Sequence, residues 1–166
     1  QAALHALKHT DPEFKRYTWL DRGSDERQYC APGIDLPIAS IMRSKYGEYP
    51  EYHTSLDDLN FVTPLGLEGS FSILRKAIEI LEQNVYLKST VLCEPQLGKR
   101  GLYPALSTKH SGNLVRDMMN LISYCDGSIS LLEIAELIDV FFLELKPTVD
   151  QLIKHGLLES SNKAFF

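Results

Sequence analysis

Apolar positions change their spacing along the chain, and each change marks a different kind of element. At the start, Leu4, Ala6 and Leu7 stand among polar residues and read as the tail of an amphipathic helix. Phe14 to Leu20 is aromatic and partly alternating, which predicts a strand. The short apolar run Leu36 to Met42 predicts a buried strand of a parallel sheet, entered through the turn Gly33-Ile34-Asp35-Leu36-Pro37. Leu67, Phe71, Leu74, Ile78, Leu81 and Val85 then recur at three- and four-residue spacing, as on one apolar face of a long helix. Thr63 can cap that helix, and Pro64 suits its first turn. Two or three strands with one long helix make half of an α/β layered domain, since they cannot cover both faces of a sheet.

After the polar stretch Ser107 to Gly112 the pattern becomes helical and short. Asn113 to Tyr124 carries Leu114, Met118, Leu121 and Ile122 on one side, and Asp126-Gly127 predicts a turn. Ser130 followed by Glu133 has the form of a capping box, opening a helix that contributes Leu131, Ile134, Ala135 and Ile138. A third helix is expected from Leu143 to His155, Gly156 suits its C-terminal cap, and Leu157-Leu158 begins a short strand. Three short helices with a hairpin-like end predict a winged helix. The expected division is a first domain over residues 1–106, a linker over 107–112 and a winged helix over 113–166.

Composition adds bounds. Hydrophobic content of 44% and charged content of 23% are those of a soluble globular chain. No apolar run approaches the roughly 18 residues of a membrane-spanning helix. Gln1 to His9 lacks the basic start and apolar core of a signal peptide, and the first residue is not Met, which predicts a start upstream and a fragment. Cys30, Cys93 and Cys125 form no CxxC pair, so reduced, mostly buried thiols of a cytoplasmic protein are expected. The net charge of −5 weighs against nucleic acid. From Ser111 onward four basic residues face eight acidic ones, and in the third helix Glu144 and Asp150 cancel Lys146 and Lys154. Phosphate contacts would be repelled, so docking or homodimerisation is expected of this domain instead of DNA binding. Phe141-Phe142 and Phe165-Phe166 are either its apolar contacts or its core.

Polar chemistry is densest in Ser24 to Tyr29 and Tyr46 to Asp58. A lone His53 is either a metal ligand or a satisfied polar residue. Thr54, Ser55, Asp57 and Asp58 are equally turn and cap residues. His5 and His9 at i, i+4 lack the Glu of a catalytic H-E-x-x-H and are expected to be exposed and polar.

Three segments nevertheless occur together: GSDERQYC (23–30), YGEYPEYHTS (46–55) and EPQLGKRGLYP (94–104), with Gly33 to Pro37 between the first two. This combination resembles the C-terminal end of co-catalytic zinc aminopeptidases and their carboxypeptidase relatives. It is most similar to a bacterial aminopeptidase-like family often encoded with polysaccharide biosynthesis genes and followed by a winged helix. The resemblance implies a partial α/β/α zinc-peptidase-like layered domain ahead of the winged helix. It implies that His53 is the last zinc ligand and that Tyr52 points at the scissile carbonyl, where its hydroxyl stabilises the oxyanion. Asp57 would support that motif. Arg27, Lys99, Arg100 and Tyr103 would bind substrate, the last three as a basic loop gripping a carboxylate, with a solvated basic turn as the equal alternative. At Glu26 the relatives carry a His. The parent would then be a zinc-dependent hydrolase of a peptide or amide bond. A catalytic zinc needs three protein ligands, so this chain alone is expected neither to hold zinc tightly nor to turn over substrate. The competing reading is an inactive peptidase-like scaffold that uses its winged helix for docking.

Overall fold

The computed structural model describes residues 1–102 and 109–161. Its helices are α1 (Ala2–Lys8), α2 (Glu26–Tyr29), α3 (Pro64–Gln83), α4 (Lys109–Tyr124), α5 (Leu131–Leu137) and α6 (Phe142–Lys154). Its strands are β1 (Tyr86–Ser89), β2 (Asp126–Ser130) and β3 (Leu158–Ser161). The chain divides into two compact units, Ala6–Ala77 and Ile78–Phe166, the latter also holding Gln1–His5.

The C-terminal unit is built on a three-stranded antiparallel sheet of order β2-β1-β3. Lys88 of the central strand faces Asp126 on one neighbour and Glu159 on the other, so opposite charges sit across both pairings. Leu87, from the same strand, is wholly buried with Ile80, Leu121, Ile134, Phe142 and Leu152. Helix α5 begins where expected. Ser130 accepts from Glu133 N–H while the Glu133 carboxylate takes the Ser130 N–H at 2.7 Å. A second cap comes from Asn84, whose Oδ1 accepts from Leu132 N–H at 2.9 Å. Helix α6 ends at Gly156, whose φ of 65° lets Leu157 N–H reach back to Leu152 O at 2.9 Å.

Several expectations for this unit are corrected. Asp126-Gly127 does not form a turn but opens β2, where Gly127 at φ 84° takes up an irregularity in the β1 pairing. The last strand pairs with β1, not within a terminal hairpin, and β1, four residues long with only Leu87 buried, has no visible sequence signature. Residues 109–112 belong to α4. Phe142 is core, and Phe141 stacks on the His5 ring at 5.6 Å. Cys93 is exposed and Cys30 half-buried, so the thiols are not mostly buried as expected; Cys125 is buried, and desolvation pushes its thiol up to about 12. His5, expected at the surface, is 1% exposed. Phe142 N–H donates to its Nε2 at 2.9 Å, so the ring proton lies on Nδ1, facing the Glu136 carboxylate.

The N-terminal unit is organised differently. From Leu7 through Leu65 no residue is buried. Neither expected strand forms, because among the described residues no neighbouring strand supplies ladder partners. Around Phe14 to Leu20 the chain instead closes a 3₁₀ turn at Trp19–Asp21, with Thr18 and Asp21 making a reciprocal cap. Around Leu36 to Met42 the backbone makes local bonds, Leu36 N–H to Tyr29 O and Ile38 N–H to Leu36 O, both 2.8 Å. Helix α3 follows the predicted start, with Gly66 N–H on Thr63 Oγ1 at 3.2 Å. Its predicted apolar face, however, points to solvent. Leu67, Phe71, Leu74, Ile78 and Leu81 are 44–66% exposed, while Ile73, Ala77 and Ile80 are buried.

Candidate functional site

Of the polar residues singled out between Gly23 and Asp58, Ser24, Tyr46, Tyr49 and Tyr52 line one cleft of the N-terminal unit, with a volume of about 420 Å³. Ser24, Ser40 and Ser44 supply hydroxyls to its wall, Tyr46, Tyr49 and Tyr52 supply rings, and Ile41 and Met42 complete it. The rings form a connected cluster. Tyr52 meets Tyr49 edge-on at 5.7 Å and Tyr46 at 6.2 Å, and Tyr49 stacks on Phe61 at 5.2 Å. His53 lies flat on Tyr52, 4.0 Å between centroids, with its backbone at φ 58°. That left-handed conformation is uncommon for a residue with a Cβ, and it turns the His53 side chain outward, where it is exposed. The turn is held by Thr54 N–H on Glu51 O at 3.0 Å and by Thr54 Oγ1 on the same carbonyl at 2.8 Å.

Glu26 fastens the other side. At the start of α2, its Oε1 accepts from Gly23 N–H at 2.8 Å, Ser24 N–H at 3.1 Å and Tyr46 Oη at 3.1 Å. Its Oε2 accepts from Ser40 Oγ at 3.0 Å. The Gly23 and Ser24 amides, with Ser40 helping, hold this carboxyl down to about 2, so it is ionised at any ordinary pH. Burial of the Tyr46 phenol and the neighbouring Glu26 raise the Tyr46 value in turn. Gly23 is needed here for space, because a Cβ would stand 2.5 Å from Tyr46 Cε2. Nothing in the spacing around Glu26 announces this fastening role. Its partners lie 14 and 20 residues away in sequence, a separation that no local motif announces.

Of the expected site residues, Tyr52 lines the cleft, and His53 stacks on its ring without being part of the cleft wall. Arg27 lies on α2, exposed and outside the cleft wall. Lys99 and Arg100 belong to the C-terminal unit, on an exposed 3₁₀ turn closed by Gly101 at φ 67°. Tyr103, the side chains of the 107–112 linker and Phe165-Phe166 lie outside the described residues. Zinc does not fit these residues by themselves. Among the described residues no group of three or more His, Cys, Asp or Glu could hold a metal ion, and His53 offers one donor. Asp58, close by in sequence, is occupied in binding Asn60 N–H at 2.7 Å, which lowers its carboxyl.

The same residues lie within a matched family. A model described as a domain of unknown function, DUF4910, matches residues 1–84. The chain belongs to the DUF4910 family. A winged helix-turn-helix model matches residues 84–160, so that match starts just before β1 and runs into β3. A Clostridium acetobutylicum protein, described as a candidate polysaccharide biosynthesis protein with an aminopeptidase-like domain, is 37% identical over 155 residues. That match covers 92% of this chain and 36% of the relative. The crystal structure of a candidate peptidase from Clostridium acetobutylicum superposes with a TM-score of 0.83 at 34% identity, covering 96% of this chain and 35% of the other. The DUF4910 chain thus spans about a third of the length of the proteins it matches, and it is similar to part of an aminopeptidase-like protein followed by a winged helix.

Proposed function

We propose that this chain is the portion of a zinc-dependent aminopeptidase-like hydrolase that supplies Tyr52 and His53 to the active site, acting on a peptide or amide bond in the cytoplasm. The observation that carries this reading is the stacked Tyr52–His53 pair beside the cleft. One aromatic hydroxyl lines the cleft wall, and one imidazole is turned outward by a left-handed backbone. His53 would be one ligand among several, the others coming from residues beyond these 166, which supports the view that the chain alone is inactive. Tyr52, held by ring contacts on two sides, is suited to donate its hydroxyl to a developing oxyanion.

The test belongs in the complete protein. His53→Ala should lower both zinc occupancy and turnover of amino-acid amides. Tyr52→Phe should leave zinc in place and lower kcat by the loss of one oxyanion donor, about 2.7–4 kcal/mol in barrier. A Tyr52→Phe effect confined to KM would remove the assigned role. The second reading, an inactive scaffold whose winged helix docks or dimerises, draws support from α6. There Lys146 is already paired with Asp150, so the helix has little charge left for phosphate.

A further inference from the structure

We propose that His5 is a proton-operated cap for α6: the neutral imidazole holds the first amide of that helix, and a second proton on the ring releases it. This goes beyond the hydrolase reading and does not depend on it.

The first amides of a helix have no partner within it and need one from outside. At α6 the residue ahead of the helix, Phe141, makes no side-chain cap. The acceptor comes instead from α1, 137 residues away, where His5 Nε2 takes the Phe142 N–H at 2.9 Å. Phe141 stacks on the same ring with 16° between the planes, so both residues that open α6 rest on His5. A neutral imidazole has one donor and one acceptor, and here both are spent, Nδ1–H on Glu136 and Nε2 on Phe142. A second proton can therefore go only to Nε2, where it meets the Phe142 N–H donor to donor. The ring is buried from solvent, so the opposed donors have no water to turn to. The N-terminus of α6 also sets its partial positive charge against an imidazolium. Glu136 pulls the other way by favouring the charged ring, but its side chain is 44% exposed and solvent screens that attraction. Because Glu136 holds Nδ1, the protonated ring stays on α5 and lets go of α6. The same elements also carry Lys8 on α1, Glu133 on α5, Asp139 in the turn that follows, and Glu144 in the first turn of α6. Glu133 is engaged in the α5 cap with Ser130. In helix-turn-helix proteins the N-terminal residues of the recognition helix make the specific contacts, so the cap governs the end of α6 best placed to meet a partner.

The test is amide hydrogen exchange by NMR on the 166-residue chain, read as protection relative to an unstructured peptide. The range is about pH 8 to about pH 5, the window in which imidazoles change charge. Phe142 should lose at least about tenfold in protection across it, while the buried Leu152 within the same helix keeps its own. The imidazole nitrogen shifts of His5 should show a proton on Nδ1 alone at the upper end and on both nitrogens at the lower. The two changes should share one midpoint. His5→Gln offers an acceptor that does not titrate and should remove the response, whereas His9→Gln, one turn further along, should leave it in place. Circular dichroism would establish that both variants keep the parent helix content. Constant Phe142 protection, a ring that stays neutral throughout, or two separate midpoints in the parent chain overturns the cap. A response that persists in folded His5→Gln, or disappears in folded His9→Gln, overturns it as well.

Discussion

Gly23 shows how much of the cleft depends on single positions. Its amide binds Glu26, and its missing side chain makes room for the Tyr46 ring. Gly23→Ala places a methyl 2.5 Å from Tyr46 Cε2, inside any real contact distance. Either the ring swings out, breaking the Tyr46–Glu26 bond, or the backbone shifts; overpacking of this kind costs about 1–3 kcal/mol. Phenolate absorbance during alkaline titration checks this. The Tyr46 phenol, raised in the parent, should move toward the ordinary tyrosine value in Gly23→Ala, and an unchanged titration would mean that Tyr46 had not left Glu26. The sequence singles out Tyr52 and His53 through the resemblance of a local motif. It did not disclose Glu26 as the fastening point, because that role arises from contacts with Ser40 and Tyr46 made only on folding. The reading of His5 failed for the same reason, since its partners Glu136 and Phe142 are more than a hundred residues away.

Among the elements, those specified by adjacent residues were legible. Thr63-Pro64 marked the start of α3, Ser130 and Glu133 the start of α5, and Gly156 the end of α6. Elements that need a distant partner were not. Leu36 to Met42 has the composition of a buried strand, yet burial and pairing are properties of a sheet, and no strand flanks it among the described residues. The α5 cap gives the clearest energetic prediction. Ser130→Ala removes the acceptor for Glu133 N–H and the hydroxyl bond to its carboxylate, and should cost about 1 kcal/mol of unfolding free energy. Hydrogen bonds from Ser130 N–H and then its hydroxyl lower the Glu133 carboxyl in the folded chain. A lowered folded value means that this contribution is complete above the ordinary carboxylate range and is lost as pH falls below that range through the lowered folded value. Urea melts at pH 7 and pH 3 should therefore show a larger Ser130→Ala penalty at pH 7; equal penalties would detach the cap from Glu133 ionisation.

At the scale of the whole molecule, the question is what the apolar surface is for. A stretch of chain from Leu7 through Leu65 with no buried residue is held by turns and caps, not by a core. Along α3, five large apolar side chains at helical spacing face solvent, a pattern that scattered surface residues do not produce. The periodicity was visible in the sequence. Its direction was not, because a hydrophobic face reports that something should cover it and not whether the chain itself does. Since the matched relatives are about three times as long, a covering partner within a longer protein accords with the hydrolase reading. For the 166-residue chain by itself, the exposed stripe should drive association. Burying one such side chain is worth about 1.5–3 kcal/mol, so a few of them in contact reach micromolar affinity even after the cost of immobilising two chains. Sedimentation across a hundredfold range of concentration, on the order of 1 to 100 μM, spans that affinity. It should show mass rising with concentration, and the triple variant Leu67→Gln, Phe71→Gln, Leu74→Gln should remain monomeric. Gln keeps good helix propensity, so the circular dichroism of α3 should survive the change. A parent chain that stays monomeric throughout, or a triple variant that associates as before, would show that this face is not what the molecule presents to partners.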